Sequence, residues 1–116
     1  MAEYLPKFIP GQAITLTASA KIVGGQLVEV SGAGTVGVAG ADSAKVVGVA
    51  GVDAASGERL TVYCGGVQRL AAAGAITAGA AVYAADNGQI QASGNNKIGI
   101  ALSAAGKQGD LVDVAI

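Results

Sequence analysis

Gly57-Glu58-Arg59-Leu60-Thr61-Val62 and Gly109-Asp110-Leu111-Val112-Asp113-Val114 follow one pattern: a glycine, an acid, then apolar side chains at the fourth and sixth places. Glycine enters positive-φ turns without a Cβ clash, and alternation sends successive side chains to opposite faces of a strand. Each hexapeptide therefore reads as a turn running into a half-buried strand. Upstream of them, Val47-Gly48-Val49-Ala50 matches Ile98-Gly99-Ile100-Ala101, and Ile22 to Val28 matches Ile76 to Val82. The chain is thus an internal repeat with a period of roughly fifty residues, in units at about 19–66 and 75–116. Neither unit has enough alternating strands to bury a face alone. Together they are expected to close a small barrel or sandwich, which also removes exposed strand edges. Arg69 to Ala75, with Ala71-Ala72-Ala73, is open to two readings, a helical turn between the units or an equally allowed extended link, since Ala-rich segments beside glycine take both.

Composition agrees with an all-β chain. The 116 residues are 52% hydrophobic but only 3% aromatic, without tryptophan, so the core is built from Ala, Val, Ile and Leu. A chain of this length buries roughly two-thirds of its unfolded surface, enough for one modest core. Nineteen glycines suit short strands and frequent turns. Ala13-Ile14-Thr15-Leu16-Thr17 alternates cleanly and opens the β domain expected over residues 13–116.

Residues 1–12 differ from the rest. They hold both prolines, Pro6 and Pro10, and two of the four aromatics, Tyr4 and Phe8, together with Leu5 and Ile9. Proline fixes φ and removes a donor, so this is an extended arm. Left in water, its large apolar side chains forgo roughly 1.5 to 3 kcal/mol each of possible burial. Tyr4, Leu5, Phe8 and Ile9 are therefore expected to bind a partner, by adding a strand to a neighbouring edge while alternate side chains fill pockets. The competing reading folds the arm back over its own barrel.

Several classes of chemistry are disfavoured. The chain has no histidine, which removes histidine-based triads and metal sites. Its one cysteine, Cys64, cannot form an intrachain disulfide and shares an apolar face with Leu60 and Val62, so a buried, inert thiol is expected. The eight carboxylates sit mostly beside glycines or in turns and read as solvated turn residues. Gly32-Ala33-Gly34-Thr35-Val36-Gly37 matches a dinucleotide fingerprint in form, but no amphipathic helix follows it, and it reads as a hairpin turn. Arg59 and Arg69 read as solvated or ion-paired strand residues. No enzyme, cofactor or metal is expected. Seven scattered basic residues against eight acidic ones leave a net charge of −1, which argues against nucleic acid as a partner. The opening Met1-Ala2-Glu3-Tyr4 has no basic segment leading into an apolar one. The charge-free stretch Leu70 to Ala85, interrupted by Gly74 and Gly79, is shorter than the ~20 apolar residues of a spanning helix. The expectation is a protein made and used without crossing a membrane.

From about Ile14 to the C-terminus the succession of these elements resembles the capsid cement, or head decoration, family of tailed bacteriophages. The residues that carry the likeness are Gly57 to Val62, Gly66-Val67, Leu70 to Ala73, Ile76 to Tyr83, Ile98 to Leu102 and Gly109 to Val114. The resemblance implies a β-clip or tulip-like fold and homotrimers on the outer capsid surface. It also implies binding where major capsid subunits meet, reinforcement of the expanded shell against internal DNA pressure, and synthesis in the host cytoplasm. A partner strand for the arm would then belong to a neighbouring subunit or to the major capsid protein. The alternative is a small β-barrel binding module, an adhesin or fibre accessory that recognises a carbohydrate or peptide; scarce aromatics speak against sugar stacking.

Overall fold

The computed structural model describes Gly11 and residues 13–116. The first half holds β1 (Ile14–Ala18), β2 (Leu27–Gly32), β3 (Thr35–Val38), β4 (Val46–Ala50) and β5 (Arg59–Tyr63). The second holds β6 (Val67–Ala71), β7 (Ala81–Ala84), a 3-10 turn at Asp86–Gly88, β8 (Ile90–Gln91), β9 (Lys97–Ala101) and β10 (Leu111–Ala115). In the first half the strands pair in the order β1-β3-β2-β4-β5, and β5 returns antiparallel to β1 with Leu16 opposite Leu60, closing a barrel. Ile14 and Leu16 pack on the core while Thr15 is exposed, as their alternation requires.

The second half repeats this circuit. Its order is β6-β10-β9-β7-β8, so β6 with β10 corresponds to β1 with β5, and β7 with β9 to β2 with β4. The register shift between Val28 and Glu29 recurs between Val82 and Tyr83. The parallel pairing that closes the first barrel, Ala18 opposite Val36, survives in the second as a single parallel bridge between Ala72 and Ile90. Each repeat therefore begins one strand earlier, at β1 and β6, than the units at 19 and 75.

Arg69 to Ala75 is not a helical turn. Residues through Ala71 belong to β6, and Ala73 N–H donates to Ile90 O at 2.8 Å. The extended form wins because it sends Leu70 and Ala72 inward to full burial while β10 takes up the backbone donors and acceptors of β6. A single helical turn would leave most of those groups unpaired.

The interior repeats residue by residue. Ile22 and Ile76, Val28 and Val82, Val36 and Ile90, Leu60 and Val112, and Val62 and Val114 hold matching buried positions, as do the alanine pairs 18 and 72, 50 and 101, and 54 and 105. Backbone hydrogen bonds follow suit: Ile22 and Ala54 exchange N–H···O bonds at 2.8 and 2.9 Å, and Ile76 and Ala105 exchange them at 2.9 Å each. In the Gly-acid turns, Gly57 (φ +89°) donates to Ala18 O at 2.7 Å and Gly109 (φ +92°) donates to Ala72 O at 2.8 Å.

A five-stranded barrel leaves little room inside. On β4 and β9 the inward positions are accordingly the small ones, Gly48 and Ala50, Gly99 and Ala101, whereas Ile100 is half-buried. A Cβ on Gly48 would run into Tyr63 O and come within 2.9 Å of Val62 Cγ1; on Gly99 it would run into Ala115 O and come within 3.0 Å of Val114 Cγ1. Both obstacles involve backbone, which cannot swing aside.

Gly48→Ala and Gly99→Ala should each cost about 1 to 3 kcal/mol or more through overpacking, measured by urea denaturation. Gly74→Ala, where a Cβ meets nothing within 4 Å, should stay within about 0.5 kcal/mol of the parent.

Candidate functional site

The residues best suited to chemistry are committed to holding loops. Asp53 Oδ1 accepts Gly24 N–H at 2.8 Å, Glu58 Oε1 accepts Ala55 N–H at 2.6 Å, and Asp110 Oδ2 accepts Gly106 N–H at 3.0 Å. Glu29 Oε1 accepts Gly40 N–H at 3.0 Å; that bond, with smaller help from Ser43 and Lys45 and against some burial, holds its carboxyl below the usual glutamate range. Cys64 is half-buried against the first core, and burial pushes its thiol up, away from thiolate reactivity. Gly32 to Gly37 lies on the β2–β3 hairpin, whose turn residues are Ala33 and Gly34; Gly37 is inside β3, so no helix N–H groups are offered to a pyrophosphate. Among the described residues no three acidic or cysteine side chains gather as metal ligands.

The two halves meet through one further carboxylate. Asp42 lies in the β3–β4 loop of the first half with φ +52°. Its Oδ1 accepts Asn95 N–H and Asn96 N–H of the second half, both at 2.9 Å, and Asn96 Nδ2 returns a bond to Asp42 O at 3.0 Å. Those N–H groups, Asn96 first and then Asn95, hold the Asp42 carboxyl below the usual aspartate range. Asp42 N–H also donates to Ala84 O at 2.8 Å, and Gly88 N–H donates to Ala39 O at 3.1 Å. Beside this junction an open groove of about 510 Å³ runs between β4 and β9, with Leu27, Val46, Ile98 and Ile116 on its apolar side and Asn95 and Lys97 on its rim. Gly65, another rim residue, lies against Gly11.

The outer faces of the halves are chemically unlike. On β1 and β5 the outward pairs are Thr15 opposite Thr61 and Thr17 opposite Arg59. The corresponding pairs on β6 and β10 are Arg69 opposite Asp113 and Ala71 opposite Leu111, followed by Val67 opposite Ala115. Val67 is 59% exposed, Leu111 60% and Leu102, just past β9, 54%. In their midst Arg69 Nε meets Asp113 Oδ1 at 3.2 Å in an exposed ion pair of small energetic weight. Arg59 remains exposed on the first half. The apolar face escaped the sequence reading, although its signal was in the repeat: Leu111 stands where the aligned hexapeptide has Arg59. Tyr4, Leu5, Phe8 and Ile9, the expected partner-binding residues, lie outside the described residues.

Comparison with known proteins finds a family and a fold. The family model described as phage cement protein matches residues 9–116. Among solved structures, the N base of the head fibre gp8.5 of bacteriophage phi29 superposes with a TM-score of 0.71 at 18% identity, over 90% of this chain and 92% of that one. At that identity the likeness speaks for the fold. No curated protein matches.

The Asp42 clamp carries a pH signature. Its folded pKa is depressed, so its contribution is present above 3.8, the ordinary aspartate value, and is lost as the pH falls through the lower folded value. Asp42→Asn, which keeps an acceptor oxygen and tolerates positive φ, should lower Tm at neutral pH and make Tm fall less steeply below 3.8. An unchanged acid slope in thermal melts would show that the carboxylate charge does not hold this junction.

Proposed function

The chain belongs to the phage cement protein family, whose members are structural proteins of the phage virion, and on that premise we propose that it binds the outer surface of the capsid where major capsid subunits meet and stabilises the expanded shell. The observation that carries the reading is the family match over nearly the whole chain. The action proposed is mechanical: many weak contacts, repeated by symmetry, add up to an avid clamp between neighbouring capsomers. A non-catalytic role is supported by the acids that hold loops and by the desolvated thiol. On the capsid the protein is proposed to act as a homotrimer, with Tyr4, Leu5, Phe8 and Ile9 reaching a neighbouring subunit or a strand of the major capsid protein.

Incubation with purified expanded and unexpanded capsids, followed by sedimentation, tests the reading. The protein should pellet with expanded shells and stay in solution with unexpanded ones; no pelleting with either refutes capsid binding. Images of decorated particles with isolated single copies would refute the trimer. Deleting residues 2–9 should leave Tm unchanged and weaken capsid binding. A strongly destabilised variant that still binds would instead support the arm folding back over its own barrel.

A further inference from the structure

We infer that the outer face of β6, β10 and β9 is the surface that meets the capsid, and that it fits a neutral, apolar patch of the shell protein. The inference rests on the capsid-binding reading above and names its surface. The protein supplies its own control, because the same five-strand circuit occurs twice in one chain. Every buried residue of the first core has a buried counterpart in the second, so packing accounts for the interior of both. It does not account for the outward pair at Arg59 and Leu111. Where the first half places Arg59 and Thr17 across from each other, the second places Leu111 and Ala71 in the same register. Ala13 of the first half is matched by Val67, and Gly51 by Leu102; packing contributes to these two, because the Tyr63 ring lies over Gly51 and its counterpart is the small Ala115. At these places the first-half face carries Thr15, Thr17, Arg59 and Thr61, although Tyr63 at the end of β5 is itself 46% exposed. The second half leaves Val67, Leu102 and Leu111 more than half exposed on neighbouring strands, the kind of apolar grouping that marks an interaction surface.

The charges indicate the kind of partner. Arg69 and Asp113 neutralise each other at 3.2 Å in the middle of the face, so an incoming surface needs no opposite charge. Interface centres are depleted of charge in general, so the pair fits a contact only as a mutually neutralised unit. Exposed to water, it keeps the face soluble in the free protein, which suits a partner met after folding, as an assembled shell is.

Grafting the first-half face onto the second tests this. The double variant Leu111→Arg with Ala71→Thr installs a pair that the fold already carries at the equivalent place. Its circular dichroism and Tm should match the parent, while its affinity for expanded capsids falls about tenfold or more. The reciprocal variant, Arg59→Leu with Thr17→Ala, should bind as the parent does. Parental binding should also change little with added salt, as expected of a neutral contact. Full binding by the grafted variant would overturn the inference, as would a loss of binding confined to the reciprocal variant. A graft that binds capsids normally but changes the oligomeric state in sedimentation velocity would overturn it too, reassigning the face to contact between copies. Failure of the unmodified protein to pellet would instead refute the capsid reading itself, which keeps the two failures distinct.

Discussion

In a free-standing five-stranded barrel, side chains pointing outward from β2 and β4 would face water, yet Leu27 and Val49 point outward from the first barrel and are almost wholly buried. Both belong to the core of the second half, together with Ala39 from the loop after β3. Burial of side chains this size is worth roughly 1.5 to 3 kcal/mol each, a large share of the net stability of a small chain. The rest of the architecture depends on this shared core. Because the halves interlock through apolar contact, the polar groups at their junction must find partners there, and the Asp42 carboxylate with the N–H groups of Asn95 and Asn96 supplies them.

Duplication explains how so plain a composition makes a defined structure. With almost no large aromatic side chains, each half is packed from Ala, Val, Ile and Leu around strands that carry glycine where neighbouring backbone comes close. Repeating the unit reuses one solution to that packing problem. It also frees the outer surfaces to differ, since outward side chains on a closed barrel are not constrained by the interior. Threonines, an arginine and an exposed Tyr63 on one half, leucine, valine and an internally neutralised ion pair on the other, give two different faces on a common frame.

The carboxylates make the same point from the polar side. Loops joining short strands leave N–H groups that no ladder partner reaches, and a buried or crowded N–H without an acceptor is costly. Asp53, Glu58 and Asp110 accept such donors within the loops of their own halves. The turn acids were legible as turn residues in sequence, because an acid next to glycine at a strand entrance has few other uses. Their bonding partners were not, since Gly24 and Asp53 lie far apart in the chain and meet only when the barrel closes.

The sequence by itself determined the β class, the duplication and the placement of most strands, because alternation and glycine spacing are local and were written twice. It also located the hairpin at Gly32 to Gly37 and set Cys64 on an apolar face, where the structure leaves it half-buried. The tertiary structure alone decided three things. The strand register decided that Ala71 and Ala72 continue a ladder instead of starting a helical turn, because β10 was there to pair with β6. Barrel width decided which face of β9 turns inward, since the backbone of the neighbouring β10 crowds the inner side at Gly99 so closely that no Cβ fits there. The docking of one half on the other decided which apolar residues are core and which are surface: Leu27 and Leu111 both lie on alternating strands, and only the presence of a second barrel against Leu27 and of open solvent against Leu111 separates them.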